Sequence, residues 1–323
     1  MSPGAPATTL PTRRLGDSEL EVSAVGLGCN NFGGRLDEAG TAAVLEAALE
    51  AGITFFDTAD IYGGAGASER LMGEVLEGRR ERFLIATKFG MEMKGAEDAP
   101  RSPRGSREYL RWAVEGSLQR LRVDRIDLYQ YHQPDGETPI GETLEALDEL
   151  VREGVVAAIG CSNFSARELE EADRTARERG LARFVTLQNE YSLLRRGIEA
   201  EVVPACERLE VSILPFYPLA KGLLTGKYRR GEPGAEGTRL AGQEPGSPEQ
   251  FDVVEALRGY AERRQLELLE VAIGGLAAQP TVASVIAGAT KPEQVRDNVA
   301  TLRWQPSAED LRELDSLAPT PRA

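Results

Sequence analysis

The chain has 323 residues, of which 41% are hydrophobic and 6% aromatic, enough apolar material for one large globular domain or two modest ones. Its formal net charge of −14 argues against general binding to nucleic acids or anionic membranes, although a local basic patch still suits a phosphate group. The longest apolar runs, such as Val282 to Ala289, are far shorter than the roughly 20 residues that a membrane-spanning helix needs. We therefore expect no nucleic-acid partner and no membrane partner.

The ends of the chain and its cysteines bear on its organisation and location. Residues 1–9 are small and Pro-rich and lack the charged start and apolar centre of a signal peptide, which predicts a flexible N-terminal tail. We expect one domain over residues 10–318 and a C-terminal tail at 319–323. The three cysteines, Cys29, Cys161 and Cys206, lie in apolar surroundings without metal-like spacing. This pattern predicts a reduced, cytoplasmic protein with no metal site.

The chain starts with the pattern of a β-hairpin between Thr12 and Val22, where two short strand-like runs flank a turn at residues 16–18. Strand-like runs then alternate with amphipathic helical stretches, for example a helix predicted over Tyr109–Leu121 from its apolar stripe. The eight predicted strands are Val22–Leu27, Ile53–Asp57, Phe83–Lys88, Ile126–Tyr131, Val155–Cys161, Phe184–Asn189, Val211–Phe216 and Val282–Ala287.

Three helix starts carry capping signals. Ser68 follows a glycine-rich stretch and is the predicted N-cap of a helix after the second strand. The segments Ser165–Glu168 and Thr290–Glu293 both have the form of a capping box, in which the two side chains bond each other's backbone amides.

Eight strand–helix units, spaced mostly about 30 residues apart, predict the α/β class and a closed parallel (β/α)8 TIM barrel. The glycines of Gly26–Gly33 do not have the GxGxxG spacing, which argues against an open dinucleotide-binding sheet. Two connections, 90–106 and 217–250, are longer than the repeat requires. Because both follow strands, we expect two long loops at the catalytic mouth of the barrel.

Polar and aromatic side chains stand where the predicted strands end. If all the strands point the same way, the mouth brings together Asp57, Tyr62, Lys88, His132, Ser162, Asn163, Gln188 and Phe216. Such a set suits carbonyl reduction, because an oxygen that gains charge as hydride arrives needs a proton donor and a polarising hydrogen bond. Tyr62 is the candidate donor, with a pKa lowered by the ammonium of Lys88. We expect Asp57 to orient Lys88, and His132 to help place the carbonyl.

Other interpretations of the same residues stay open. Lys88 at a strand end also suits a Schiff-base lysine, as in an aldolase-like lyase, although this leaves the amide cluster without a role. His132, the only histidine in the chain, could be a partly buried structural residue. Asp57 could simply cap backbone amides, and Tyr62 could be a rim aromatic. The joint placement of these groups on successive strand ends favours the catalytic interpretation.

Several stretches resemble the aldo-keto reductase superfamily, most closely its bacterial members. They are Gly52–Gly63, Ala86–Gly90, Asp127–His132, Gly160–Phe164, Leu187–Ser192, Pro218–Tyr228 and Gly288–Gln294, and the resemblance runs from about Arg13 to Leu317. It implies a (β/α)8 barrel that transfers hydride from a nicotinamide cofactor, usually NADPH, to aldehydes and ketones without a metal. The catalytic tetrad of the superfamily corresponds to Asp57, Tyr62, Lys88 and His132.

The resemblance also implies a cofactor site. Its nicotinamide part corresponds to Ser162, Asn163, Gln188, Phe216 and Tyr217, and its pyrophosphate loop to Pro218, Leu219, Ala220, Gly222, Leu224 and Lys227. The adenosine part, with its 2′-phosphate, corresponds to Gly288, Ala289, Thr290, Lys291, Gln294, Asp297 and Asn298. The start of a helix and a lysine favour a phosphate there. We expect NADPH as cofactor, with NADH as a weaker alternative.

Two alternatives to the reductase function stay open at this point. Some relatives of the superfamily are potassium-channel beta subunits, so a regulatory nicotinamide-binding subunit is the second hypothesis, and the Schiff-base lyase is the third. For the reductase, the expected partner is a small-molecule aldehyde or ketone. No helix face indicates an interface, which leaves the oligomeric state open.

Overall fold

The structure, a computed structural model, describes residues 10–320. The predicted tail at 1–9, and residues 321–323 of the predicted C-terminal tail, lie outside the described residues. The described strands are β1 Thr12–Arg14, β2 Glu21–Ser23, β3 Val25–Gly28, β4 Phe55–Asp57, β5 Leu84–Phe89, β6 Ile126–Tyr131, β7 Val156–Ser162, β8 Phe184–Gln188, β9 Ser212–Ile213 and β10 Val285–Gly288. The described α-helices are α1 Glu38–Glu50, α2 Ala67–Leu76, α3 Arg107–Leu121, α4 Ile140–Arg152, α5 Ala166–Arg179, α6 Val202–Leu209, α7 Pro248–Arg263, α8 Leu268–Ala277, α9 Pro292–Ala300 and α10 Ala308–Leu317.

The strands β3 to β10 form one eight-stranded parallel sheet in the order β10-β3-β4-β5-β6-β7-β8-β9. The two outer strands are joined by a parallel bridge between Ile213 and Val282. Around it, the amide of Ile213 donates to the carbonyl of Thr281 at 2.7 Å, and the amide of Ala283 donates to the carbonyl of Ile213 at 3.1 Å. The sheet is therefore closed on itself, and the predicted (β/α)8 barrel is confirmed.

The predicted hairpin is also confirmed, since β1 and β2 pair antiparallel with Arg13 opposite Val22. It packs at the amino-terminal ends of the strands, where the amide of Gly16 donates to Ser212 Oγ at 2.8 Å. The predicted first strand, Val22–Leu27, is wrong at its start, because Val22 belongs to the hairpin and β3 begins at Val25. The physical reason is a bend between them, where Ser23 Oγ donates to the carbonyl of Val25 at 2.7 Å.

One capping box forms as predicted and two helix starts differ. At α5, Ser165 Oγ accepts from the amide of Glu168, and Glu168 Oε2 accepts from the amide of Ser165 at 2.8 Å. The prediction for Ser68 is wrong, because α2 begins at Ala67 after a left-handed Gly66 with φ +75°. Ser68 lies inside the helix and donates to the carbonyl of Cys29 at 2.9 Å, a contact across the fold.

The capping box predicted for Thr290 and Glu293 is wrong as well. Lys291, and not Thr290, precedes the first helical residue of α9, and it has the extended conformation with φ −149° and ψ 148°. The physical reason is Pro292, which disfavours a helical conformation in the residue before it. Thr290 instead donates from its backbone amide to Gln294 Oε1 at 2.8 Å.

Both long connections lie at the carboxyl ends of the strands, as predicted. The first joins β5 to α3 and the second joins β9 to α7, with a short 3-10 helix at Ala220–Thr225. The barrel interior at the opposite, amino-terminal end is filled by an apolar cluster of Leu15, Val22, Phe55, Ala86, Leu128, Ala158, Val185, Leu214, Ala283 and Ile286. On β4, β5 and β6, the side chains two residues further along, Asp57, Lys88 and Gln130, therefore line the interior near the mouth. Among residues 10–320, no helix is both long and apolar enough to cross a membrane.

Candidate active site

A buried ion pair lies at the mouth of the barrel, where β4 and β5 end. Phe55 and Phe56 bury β4, and Asp57 follows them at its carboxyl end with only 2% of its surface exposed. Lys88 Nζ on β5 lies 2.7 Å from Asp57 Oδ2 and donates to the carbonyl of Thr58 at 2.8 Å. Two acceptors therefore fix the position of the ammonium group.

Two aromatic side chains stand above this ion pair. Lys88 Nζ is 5.2 Å from the centre of the Tyr62 ring. The Tyr62 ring in turn meets the His132 ring edge to face, with 6.0 Å between centres and 81° between planes. The structure thus brings together the four residues that the sequence singled out, from three neighbouring strands and one loop.

Burial controls the protonation of this group. It raises the pKa of Tyr62 above its usual range, and the nearby Lys88 ammonium only partly opposes this shift. The net direction is opposite to the lowered pKa predicted from the sequence, because the removal of water from the phenol outweighs the attraction of the ammonium. Tyr62 therefore holds its proton at neutral pH.

Burial works to lower the pKa of both Lys88 and His132, but the net shifts of the two groups are opposite. Burial works to lower the pKa of Lys88, but the charge of Asp57 and the neighbouring Tyr62 more than offset it, so the pKa is raised. Burial, followed by the charge of Lys88, lowers the pKa of His132 to about 3. At neutral pH, Lys88 is an ammonium ion and His132 a neutral imidazole, whose Nδ1 is buried without a hydrogen-bond partner in the described part of the chain.

Three polar side chains form an amide cluster beside the tetrad at the ends of β7 and β8. Ser162 Oγ donates to the backbone carbonyl of Gln188 at 2.7 Å. Asn163 Nδ2 donates to the carbonyl of His132 at 2.9 Å and to Ser162 Oγ at 3.1 Å. Asn163 adopts φ +59°, a left-handed conformation that asparagine tolerates better than most residues. These bonds hold the cluster in one position relative to His132.

A cavity of about 890 Å³ opens above these groups. Its wall contains most of the predicted site residues: Asp57, Tyr62, His132, Ser162, Asn163, Gln188, Phe216, Tyr217, Pro218, Leu219, Gly222, Lys227, Gly288, Ala289, Thr290, Lys291, Gln294, Asp297 and Asn298. Lys88 lies beneath the wall. Ala220 and Leu224 are also absent from the wall, because they pack in an apolar cluster with α7 and α8.

Several residues of the wall were not predicted from the sequence. Arg35 donates from Nη2 to the carbonyl of Gly237 at 3.0 Å, which joins the loop after β3 to the long loop after β9. Arg239 lies 4.9 Å from the centre of the Tyr217 ring. No local signal marks these two arginines, because loop conformation alone brings them to the cavity.

Gln130 on β6 is a further residue of the site that was not predicted from the sequence. It is fully buried and donates from Nε2 to Asp57 Oδ1 at 3.1 Å. A signal was present in the sequence, since an uncharged polar side chain stands inside a predicted buried strand two residues before His132.

The cavity wall has five basic side chains against the three carboxylates Asp57, Glu236 and Asp297, although the protein as a whole is acidic. Its cationic side chains are Arg35, Lys221, Lys227, Arg239 and Lys291. Within residues 10–320, none of these five has a carboxylate oxygen within 4.0 Å. Free cations along one side and amides at one end suit an elongated ligand with phosphate groups and a carboxamide, so the residues present fit a nicotinamide dinucleotide. The described residues contain no group of three or more His, Cys, Asp or Glu side chains that could hold a metal ion.

The chain is similar to known proteins of one family. The Aldo/keto reductase family profile matches residues 24–319. The uncharacterized oxidoreductase YrpG of Bacillus subtilis is 37% identical over 321 residues, which cover 95% of each chain. A protein of Oryza sativa named as a probable voltage-gated potassium channel subunit beta is 32% identical over 302 residues, covering 90% of each chain.

A solved structure agrees with these sequence relatives. The holo form of an aldo-keto reductase from Bacillus halodurans has a TM-score of 0.80 and 33% sequence identity, and the match covers 97% of both chains. The resemblance inferred from the motifs is therefore confirmed over nearly the whole chain. The chain belongs to the aldo/keto reductase family of oxidoreductases, which use nicotinamide cofactors and act on small carbonyl compounds.

Proposed function

We propose that the protein reduces the carbonyl group of an aldehyde or ketone with NADPH, and that Tyr62 donates the proton. The observation that carries this proposal is the contact of Tyr62 with both Lys88 and His132 at the base of the cavity. A proton donor, a cation and a neutral imidazole converge there on the space where a carbonyl oxygen would develop charge.

The residues of the tetrad have separate roles in this proposal. Tyr62 is protonated at neutral pH and gives its proton to the carbonyl oxygen. The Lys88 ammonium, held by Asp57, stabilises the phenolate that remains. His132 is neutral, so its imidazole has one N–H group to orient the carbonyl without bringing a second positive charge next to Lys88.

NADPH supplies the hydride when it is bound. Ser162, Asn163 and Gln188 would hold the carboxamide of its nicotinamide, since these side chains already form a fixed polar cluster on the wall. Phe216 and Tyr217 offer aromatic surface to the ring, and Lys227 offers a cation to the diphosphate. Lys291 is exposed at the start of α9 and forms no ion pair with any carboxylate of residues 10–320. It suits the 2′-phosphate that distinguishes NADPH from NADH.

The two alternative functions have less support. A Schiff-base lysine must be a free neutral amine. Lys88 is instead a buried ammonium that donates to Asp57 and Thr58, which favours the reductase over the lyase. A regulatory nicotinamide-binding subunit is the second candidate, and the similarity to the rice channel subunit is the observation that favours it.

The proposal also covers the setting of the reaction. The three cysteines are free and buried, which suits a reducing, cytoplasmic compartment. The tetrad and the cofactor wall draw on strands from β3 to β10, which supports residues 10–318 acting as one domain.

A fluorescence titration with NADPH and NADH, followed by absorbance-monitored oxidation of the cofactor with a panel of aldehydes and ketones, tests the proposed function. We expect tighter binding of NADPH than of NADH, and turnover on at least one carbonyl compound. Binding without turnover would favour the regulatory subunit instead. If no nucleotide bound, the proposal would be wrong.

A further inference from the structure

Gln130 connects the tetrad to the interior of the barrel. Its Nε2 donates to Asp57 Oδ1 at 3.1 Å, and Gln188 Nε2 donates to the same oxygen at 2.8 Å. Gln188 Nε2 also lies 3.4 Å from Gln130 Oε1, so the two amides contact each other. Asp57 Oδ2 is occupied by Lys88. Both oxygens of the buried carboxylate thus have partners, and two of those partners are neutral amides.

Gln130 belongs to the same layer of the barrel as Lys88. The register pairs Lys88 with Gln130, Gln130 with Gly160, and Gly160 with Thr186 on successive strands. One layer below, Ala86, Leu128 and Ala158 belong to the apolar cluster. Branched apolar side chains usually fill the inside of such barrels, so a buried glutamine in this layer requires hydrogen bonds to be tolerated.

The neighbouring strand leaves space for this glutamine. A Cβ atom at Gly160 would lie 3.2 Å from Gln130 Cγ and would clash with Thr186 Oγ1. The absence of a side chain at Gly160 therefore lets Gln130 extend across the barrel toward Asp57.

We infer that Gln130 is a positioning residue of the carbonyl reduction, which acts on Tyr62 through Asp57 and Lys88. This inference rests on the proposed function. A carboxylate with one fixed oxygen can still rotate about its χ2 bond, whereas amide bonds to the second oxygen fix its plane. With that plane fixed, Asp57 holds the Lys88 ammonium toward Tyr62. Gln188 reaches the same oxygen from the cavity wall, so Gln130 is the member of the pair that has no contact with the cofactor space.

The variant Gln130→Met tests the inference, because methionine has a similar length and cannot donate. We expect kcat to fall about tenfold, the effect of one hydrogen bond to a charged group, while the dissociation constant of NADPH stays within about twofold. The matched control is Thr186→Val in the same layer. Thr186 Oγ1 is buried without a partner in the described residues, so its loss should leave kcat unchanged.

A double-mutant cycle separates positioning from general damage to the fold. In an Asp57→Ala background, Gln130 has no carboxylate to hold, so Gln130→Met should change the residual turnover by less than about twofold. An equal loss in both backgrounds would contradict the inference. Full activity of Gln130→Met in the wild-type background would contradict it as well. If the wild-type protein reduces no carbonyl compound, that result contradicts the proposed function itself, whereas the outcomes above contradict only the role of Gln130.

A second variant, Gln130→Glu, guards against a methionine variant that does not fold. The new carboxyl would lie beside Oδ1 of Asp57, whereas the ammonium of Lys88 is bonded to the other oxygen, Oδ2. Only its protonated form can donate to Asp57, so we expect kcat relative to wild type to fall as the pH rises. A ratio that does not change with pH would show that Gln130 fills space and does not position Asp57.

Discussion

Tyr62 combines two opposing influences on one hydroxyl group. Burial keeps its proton in place, and the Lys88 ammonium nearby stabilises the anion that forms when the proton leaves. In the proposed reduction, this phenol is a proton donor that is charged only during the reaction. The proposed chemistry therefore depends on a single oxygen atom of the side chain.

Replacing Tyr62 with Phe should lower kcat by about 10²- to 10⁴-fold, the contribution typical of a general acid. Affinity for NADPH, measured by fluorescence titration, should stay nearly unchanged. Tyr129→Phe is the matched control, because the Tyr129 hydroxyl is buried and has no hydrogen-bond partner in the described chain. Near-normal turnover of the Tyr62 variant would refute the proposed role of the residue.

We expect Lys291 to discriminate between the two nicotinamide cofactors by raising the affinity for NADPH. Lys291→Ala should weaken NADPH by about 10-fold or more, the effect of losing a bond between two charged groups. NADH should be affected much less, because it lacks the 2′-phosphate. Titrations with both cofactors give the ratio of the two dissociation constants. Lys94→Ala serves as control, because Lys94 is an exposed lysine outside the cavity wall. Equal losses for both cofactors would remove Lys291 from this role.

At the scale of the secondary structure elements, the start of each helix depends on its first residues and on what they contact. α5 has a complete capping box at Ser165 and Glu168. α9 has the residue types of a box one position earlier, but no side chain caps it. The two helices show that a capping motif needs the correct backbone conformation as well as the correct residues.

The two helix starts should respond differently to alanine. Ser165→Ala should lower the free energy of unfolding by about 1 kcal/mol, because it removes an N-cap acceptor. Thr290→Ala should lower the free energy of unfolding by only a few tenths of a kcal/mol, since Thr290 bonds Gln294 and does not cap the helix. Urea unfolding of the cofactor-free protein, followed by circular dichroism, measures both changes. A larger loss for Thr290→Ala would restore the predicted box at α9.

At the scale of the whole molecule, the presence of a single histidine allows one part of the pH dependence of stability to be assigned to one residue. The pKa of His132 is lowered to about 3 in the folded protein, whereas an unfolded histidine titrates near 6.5. Between these values the unfolded state binds the extra proton, so this residue makes the protein less stable as the pH falls below about 6.5. Well above that pH the effect is absent.

The variant His132→Gln should remove this dependence. Relative to wild type, it should gain stability by up to about 1.4 kcal/mol per pH unit as the pH falls from 6.5 to 5. The difference between the two proteins is the quantity to measure, because the raised pKa of buried Asp60 acts in the opposite direction in both. Chemical unfolding at several pH values provides it, and a constant difference would show that His132 is not buried as a neutral imidazole.

The architecture and most of the site follow from the order of residues along the chain. Period-2 and period-3.6 patterns place the strands and helices. A closed parallel barrel brings the carboxyl ends of its strands together, so the order of residues is enough to assign Asp57, Lys88, His132 and Gln188 to one mouth. Such assignments need only the position of a residue within its own strand.

Other features depended on contacts between distant parts of the chain. Gln130 bonds Asp57 across 73 residues of sequence, and Arg35 bonds Gly237 across 202. Burial reversed the expected direction of the Tyr62 pKa, because the sequence shows the nearby charges but not the loss of water. The chain alone determined which residues lie near the carboxyl end of each strand. Only the tertiary structure decided how deeply they are buried and which side chains hold them, because desolvation and hydrogen bonding depend on everything that surrounds a group.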